Sequence, residues 1–550
     1  MGASAHAAVK QELLVRYLDF WVPAALHTAR AARYLDCSRH GPAAVLRVVA
    51  EFADLSVFSL NLLFALALAL SIDFSLLMVY RYREQLATTG DPAEAVARIL
   101  PRTGRVVLFS GLTIGTAMAA LIIFPQRFLY SMGVAGVLVA LFAVLVALVL
   151  LPALLRLLGH RVNAWAPERL RYREPADIRT GWWYRFTHRV MRRPVAYAVG
   201  AALFLVLVGT PFFGIRYAGV DPGVLPADYS AGEVTQVIRE EFPAGVSTPV
   251  RVAAYAGDEQ QPAVAGYADQ LGQVEGVAGV APPQQLADRL WQIDVFLADD
   301  QISPAAQQTV SRLSEVEAPF PARMTGLAAD FVQRQDALGD RLPVALLLIT
   351  ITTLLLLFAF TGSVVIPVKQ LVINYLVVFA SIGLLAFIFQ EGRLTGVLGY
   401  TSQGAVETTT LIILAAIVFG LSTDYGVFLY GRIKEAHDAG HPAREAVALG
   451  LARTGRIVTS AAALVCVALG ALMTAELVSI KSLGVGTAFA VLVDATLARA
   501  VLLPALMALL GEYNWWAPGW LRRLHARLRL DRIHEPVDRE LQPAARTGGS

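Results

Sequence analysis

Lysine is scarce: Lys10, Lys369, Lys434 and Lys481 are four among 46 basic residues, and arginine supplies the rest. With abundant Ala, Val and Gly, that bias points to a GC-rich bacterial genome. Cysteine is scarcer. Cys37 and Cys466 are too few for a disulfide framework, and Cys466, inside an apolar run, reads as a small core residue. Charge is thin as well, 16% of residues, where a soluble domain carries roughly 25%. No Walker A loop is present, so no ATP drive is visible. No His/Cys grouping has metal-ligand spacing. No metal, other cofactor or nucleic-acid partner is expected. Residues 1–50 hold six Lys or Arg and no long apolar core, which excludes a clean signal peptide.

What is abundant is apolar sequence, 56% of the chain. A window of about 20 apolar residues marks a membrane span. Nine segments meet it: 54–80, 106–124, 129–158, 196–216, 342–361, 366–390, 407–430, 456–476 and 484–510. The expected fold is therefore a polytopic α-helical membrane protein of about nine spans. Between the fourth and fifth spans, PVRVAAYAG (249–257) and LWQIDVFLA (290–298) alternate like strands. QPAVAGYADQLGQV (261–274) and SPAAQQTVSRLSEV (303–316) read as amphipathic helices, the second capped by Ser303 with Pro304 at its first turn. Together they predict one α+β domain of split β-α-β character. Ser230 and Glu233 have capping-box spacing ahead of it.

Charge assigns the sides. Arg81, Arg83, Arg98, Arg102 and Arg105 flank the first two spans, residues 159–194 carry nine arginines, and the tail after 513 is arginine-rich. By the positive-inside rule these faces are cytoplasmic, apposed to anionic lipid heads, and the α+β domain lies outside. Trp165, Trp515 and Trp516 read as interfacial anchors. An odd number of spans with a cytoplasmic tail then puts the N-terminus outside, against the basic character of residues 1–50.

The chain also repeats itself at an offset of about 351 residues. SIDFSLLMVYRYREQL (71–86) matches STDYGVFLYGRIKEAH (422–437), DPAEAVARILPRTGR (91–105) matches HPAREAVALGLARTGR (441–456), and SMGVAGVLVA (131–140) echoes SLGVGTAFAV (482–491). LPALLRLLG (151–159) matches LPALMALLG (503–511), and NAWAPERLR (163–171) matches NWWAPGWLR (514–522). Each half places a carboxyl at the same point inside a span, Asp73 and Asp424. An ionised carboxylate at the bilayer centre costs at least about 2.5–3.5 kcal/mol, so two at matched positions read as a proton relay rather than as chance. Asp494 and Arg499 sit five apart in VDATLARA, off the helical pairing period, which leaves a structural ion pair and relay support equally open. Ser110, Thr113, Thr459 and Ser460 read as hydroxyls bonded to their own helix backbone. Span glycines such as Gly111, Gly133, Gly420 and Gly484 read as close helix contacts. An intramembrane aspartyl protease would also use two membrane Asp residues, but Leu-Ser-Thr-Asp lacks its Gly-x-Gly-Asp context, and no enzymatic activity is expected.

These blocks, with LVDATLARAVLLPALMALLG (492–511) and GVDPGVLPADYSAGEVTQVIREEFPAG (219–245), resemble the MmpL (mycobacterial membrane protein large) family of the resistance–nodulation–cell division superfamily. The resemblance covers about 51–530. It implies twelve spans in two six-span halves, a porter-like extracytoplasmic domain in each half, and proton-driven export of lipids or other hydrophobic compounds from the inner membrane. Relatives pair each Asp with a Tyr of the other half. Here Asp424-Tyr425 keeps that motif, while the first copy reads Asp73-Phe74. An Asp73–Tyr425 pair is available, and Asp424 needs another donor, such as Ser422, Thr423 or a water. The resemblance thus implies Asp73, Asp424 and Tyr425 as relay residues, supported by Ser422, Thr423, Asp494 and Arg499.

Measured against that plan the chain is expected to be N-terminally truncated. It divides into an atypical segment 1–50, a remnant first half 51–158, a basic linker 159–195, a span 196–217, the α+β domain 218–340, a second-half bundle 341–512 and a basic tail 513–550. The expected partners are a lipidic substrate, protons and anionic lipids. Two further assemblies are open: a homo-oligomer, or a second chain supplying the missing half. The alternative function is a non-transporting remnant, a scaffold or a sterol-sensing-like membrane module.

Overall fold

A computed structural model of the chain describes residues 59–163, 178–218, 249–299, 303–402 and 404–527. Expectations for residues 1–50, Trp165, the Ser230–Glu233 capping box and most of the basic tail lie outside the described residues. Among the described residues, nine helices are long and apolar enough to cross a membrane.

Three come from the first half of the repeat. Helix α1 (Ser59–Thr89) runs well past the apolar segment that announces it. Helix α2 (Pro92–Ala119) starts where Asp91 accepts hydrogen bonds from the amides of Ala93 and Glu94 and where Pro92 occupies the first turn. Helix α3 (Arg127–Leu145) passes through a π turn, Val146–Leu150, into α4 (Leu151–Leu158). A short amphipathic helix, α5 (Trp182–Arg192), then leads into the fourth span, α6 (Pro194–Gly209).

Above the spans, strands β2 (Val250–Ala254), β3 (Val277–Val280), β4 (Gln284–Ala287), β5 (Leu290–Leu297) and β6 (Ala322–Thr325) form an antiparallel sheet. Its order is β3-β5-β2-β6, with β4 also paired to β5. Helices α7 (Gln261–Gly272) and α8 (Pro304–Glu315) link β2 to β3 and β5 to β6, so each crossover passes over a strand inserted between its ends. The alternation seen in the sequence buries Val250, Val252 and Ala254 from β2 and Trp291, Ile293, Val295 and Leu297 from β5. Tyr267 and Phe320 meet edge to face beside them, ring centroids 5.6 Å apart. Ser303 caps α8 by accepting the Ala306 amide at 3.1 Å. A two-residue strand, β1 (Tyr217–Ala218), pairs in parallel with β7 (Val406–Glu407) and ties the exit of α6 to the start of a later span.

Five spans follow the sheet: α9 (Leu327–Thr361), α10 (Val365–Leu385), α11 (Thr408–Asp438), α12 (Ala443–Gly470) and α13 (Val478–Val493). The last continues as a π helix, Asp494–Leu502, into α14 (Leu503–Leu510). By the repeat, α1 corresponds to α11 and α2 to α12. The packing is reciprocal: α11 lies on α2, and α12 lies on α1. The two halves therefore meet through one contact used twice, which is what a duplicated element closing on itself about a pseudo-two-fold axis gives. Helix α11 is the hub, touching α2, α10, α12 and α13, and is buried along nearly its whole length.

Small residues set the closeness of these crossings. A Cβ on Gly420 of α11 would stand 3.2 Å from the Ile114 Cα of α2. At the α6–α10 crossing, a Cβ on Gly383 would stand 2.5 Å from Val208 O and 2.6 Å from Gly209 Cα, so backbone meets backbone there. Gly383→Ala is expected to force the helices apart and to lose about 1–3 kcal/mol of stability. Gly200→Ala, at a lipid-facing position with nothing within 4 Å of the added methyl, is expected to be neutral. Thermal unfolding of both variants in detergent checks the difference.

Candidate functional site

Matched positions on α1 and α11 bring Asp73 and Asp424 into side-chain contact. They line one pocket with Phe74, Leu77, Tyr425, Phe428 and the α12 residues Ile457, Val458 and Ala461. Asp424 and Tyr425 are each only 4% exposed. The sequence expectation that Asp73, Asp424 and Tyr425 share a locus is what the geometry contains.

The hydrogen bonds differ from expectation. Asp424 Oδ2 and Tyr425 Oη are enclosed and make no hydrogen bond among the described residues. Tyr425 instead lays its ring under the Arg499 guanidinium, 4.8 Å from Cζ to centroid. Ser422 and Thr423 do not serve Asp424. Two residues and one residue before it on a helix, they point to other faces. The hydroxyl that reaches Asp424 belongs to Ser110 of α2, the helix packed against α11. Thr113, Thr459 and Ser460 bond their own backbone, to Ser110 O, Gly455 O and Arg456 O. Ser110 departs from that pattern because reciprocal packing carries it to the partner half. Its repeat counterpart is Ala461, so the same device is missing on the Asp73 side.

Asp494 and Arg499 form a buried ion pair, Nε to Oδ2 at 2.6 Å, with Nη2 also on Oδ2. Five residues apart is off register in an α-helix. Here the segment is π-helical, and its i to i+5 period puts both side chains on one face. Arg499 Nη2 further donates to Ser422 O at 2.5 Å. The Ser422 hydroxyl faces two acceptors, Asp494 Oδ1 at 2.7 Å and Asn374 Oδ1 at 2.8 Å. It has one proton to give, so it serves one of them at a time.

Beyond these lies a polar chain that the sequence reading passed over. Asn374 Nδ2 donates to Thr423 Oγ1 at 2.8 Å. Gln370 Nε2 donates to Asn374 Oδ1 at 2.7 Å, and Tyr430 Oη donates to Gln370 Oε1 at 3.0 Å. Gln370 and Asn374 are a helical turn apart inside the span 366–390. The rule that singles out Asp73, an expensive polar group within an apolar run, would have found them too. Ser422, Thr423, Asp494 and Arg499 thus belong to one network, one layer away from the Asp73–Asp424 contact.

Comparison with known proteins identifies the family. The MMPL family matches residues 37–197 and 225–540. A putative membrane protein of Streptomyces coelicolor is 37% identical over 495 residues, which is 90% of this chain and 68% of that protein. The trehalose monomycolate exporter MmpL3 of Mycobacterium tuberculosis is 30% identical over 541 residues, covering 91% of this chain and 57% of its own length. The chain therefore spans little more than half of that exporter. Among solved structures, SecDF in its super-membrane-facing form shares the fold, with a TM-score of 0.52 at 15% identity over 96% of this chain and 63% of that one. The family match takes in most of the chain and both copies of the Asp motif, so the protein belongs to the MMPL family.

Proposed function

We propose that the chain works as a proton-driven exporter of lipids or other hydrophobic compounds, with the Asp73–Asp424 pair as the group that takes up and releases the proton. The observation that carries this reading is the contact itself: two carboxyls from repeat-equivalent helices share a pocket within the membrane-spanning bundle. As two anions in contact they repel, and a proton between them removes the repulsion. Loading and unloading therefore changes the force between α1 and α11, the helices at the meeting of the halves. A proton crossing the membrane supplies roughly 2.3 kcal/mol per 100 mV. The lipid class is supported by the exporter named above, a relative at 30% identity. The arginine-rich side faces the cytoplasm of the inner membrane in this reading, and the α+β domain faces outward.

Asp494 and Arg499 keep the neighbouring network neutral while Arg499 fixes the Tyr425 ring. Arg499 is hydrogen-bonded to Asp494, and among the described residues no guanidinium is hydrogen-bonded to either carboxyl of the pair. Among the described residues, Ser110 adds a hydroxyl to Asp424.

Asp73→Asn or Asp424→Asn is expected to reduce proton flux through proteoliposomes, followed by a pH-sensitive dye, to the level of empty vesicles. It should also stop transfer of a fluorescent acyl-glycolipid. Flux that persists with both replaced would overturn the relay. Phe74→Tyr places a hydroxyl where the other copy of the motif has one. A new hydrogen bond worth about 1 kcal/mol is expected to change flux about fivefold without loss of thermal stability. Asp494→Asn leaves the Arg499 charge buried without its partner, and is expected to lose about 3–5 kcal/mol of stability in thermal unfolding.

A further inference from the structure

The repeat that maps Asp73 onto Asp424 also maps Arg81 onto Arg432 and Glu84 onto Glu435. These four side chains meet across the two halves. Arg432 Nη2 lies 2.9 Å from Glu84 Oε2 and its Nη1 lies 2.9 Å from Glu435 Oε2. Arg81 Nη1 lies 3.2 Å from Glu84 Oε2 and its Nη2 lies 4.0 Å from Glu435 Oε1. Arg432 thus bonds both the glutamate three residues on along its own helix and the matching glutamate of the other half, while Arg81 bonds Glu84 and has Glu435 at the outer reach of an ion pair. The Arg432 side chain is 8% exposed and that of Arg81 14%.

The quartet stands in a definite place relative to the carboxyl pair. Eight residues along α1 and α11 separate each Asp from its Arg, about 12 Å at the helical rise. Leu77 and Phe428 lie between, and both line the pocket of the pair. From α12, Arg453 and Arg456 add positive charge within electrostatic range of Tyr80, and Arg453 within range of Arg81. The quartet therefore closes the bundle on its arginine-rich side, directly below the acidic pocket.

We propose that this cross-paired quartet is the gate between the Asp73–Asp424 pocket and water on the arginine-rich side. The pairing pattern suits a gate better than a fixed brace. When the halves shift, Arg432–Glu84 and Arg81–Glu435 separate together, because the pseudo-two-fold axis makes them one contact. Arg81–Glu84 and Arg432–Glu435 stay intact, since each lies on a single helix. Opening strands no charge, since each arginine keeps the glutamate of its own helix. The link to proton entry rests on the function proposed above; the closure itself does not.

A thiol placed at Leu77, with Cys37 and Cys466 replaced by serine, reads access to the pocket. Membrane-impermeant maleimide is applied from the arginine-rich side of everted vesicles. Labelling is expected to be slow in this parent and at least tenfold faster with Glu84→Gln and Glu435→Gln together. It should return to the slow rate when all four charges are exchanged (R81E, E84R, R432E, E435R), which rebuilds both cross pairs in reverse. If the double variant does not fold, Glu84→Gln alone leaves Arg432 paired to Glu435 and should still raise labelling about threefold. An unchanged rate in a folded neutralised variant overturns the gate, as does fast labelling of the four-charge exchange. The same measurements with Asp73→Asn and Asp424→Asn added separate the two ideas. A labelling response there supports the gate even if proton flux is absent from the unaltered chain, and no response defeats it whatever the flux.

Discussion

Reciprocal packing of two like helix pairs is the constraint on which the rest of this structure depends. Helix α12 lies on α1, and α11 lies on α2. Only that arrangement turns Asp73 and Asp424 toward each other and away from lipid. A carboxyl facing hydrocarbon alone would be untenable at several kcal/mol, so the packing and the acidic pair explain each other. The glycine contacts serve the same end. Gly420 lets α11 approach Ile114 of α2 closely enough for Ser110, a turn away, to reach Asp424. Distance along the chain is irrelevant to this contact; equivalence in the repeat is what matters.

Arg499, the one buried guanidinium at the site among the described residues, shapes how charge is distributed there. Arg499 is bonded to Asp494 and to Ser422 O, and it covers the Tyr425 ring. Its charge acts on both carboxyls of the pair through space, while its hydrogen bonds go to Asp494 and Ser422. The π helix is the device that makes the Asp494 pairing possible. By widening the turn from Asp494 to Leu502, it lets two residues five apart close on each other. A π turn also occurs in the first half, at Val146–Leu150, and the residues corresponding to the ion pair, near Phe142 just before it and Ala147 within it, are apolar. The irregular backbone is therefore shared by both copies, and the charges were placed on one of them.

Much of this was legible in the sequence, for physical reasons. Spans announce themselves by length and hydropathy, and the sheet by the alternation of Val250, Val252 and Ala254 against Trp291, Ile293 and Val295. The repeat located both carboxyls. What escaped were features that depend on which helix lies beside which. Ser110 read as an ordinary backbone-bonded hydroxyl, and only its contact with the other half gives it Asp424. Ser422 and Thr423, nearest to Asp424 in the chain, point elsewhere because consecutive helical residues diverge by about 100°. The five-residue spacing of Asp494 and Arg499 leaves pairing open in an α-helix, and only the π-helical backbone settles it. Gln370 and Asn374 carry no charge to mark them in the sequence, although an amide inside a span demands a partner just as a carboxyl does.

The two copies of the motif are alike in backbone and unlike in donors, and that difference bears on direction. Asp424 has Ser110 beside it and Tyr425 next in the chain. Asp73 has Phe74 next in the chain and Ala461 where the matching hydroxyl would stand. A symmetric pair would hold a proton equally on either carboxyl and would give it no preferred way out. On the function proposed above, the differing environments make a proton rest unequally between the two, and a change in the α1–α11 contact shifts that balance. On the function proposed above, losing the tyrosine from the first copy does not simply weaken a relay. It separates the roles of the two carboxyls, and a pump that moves protons one way needs them to be separate.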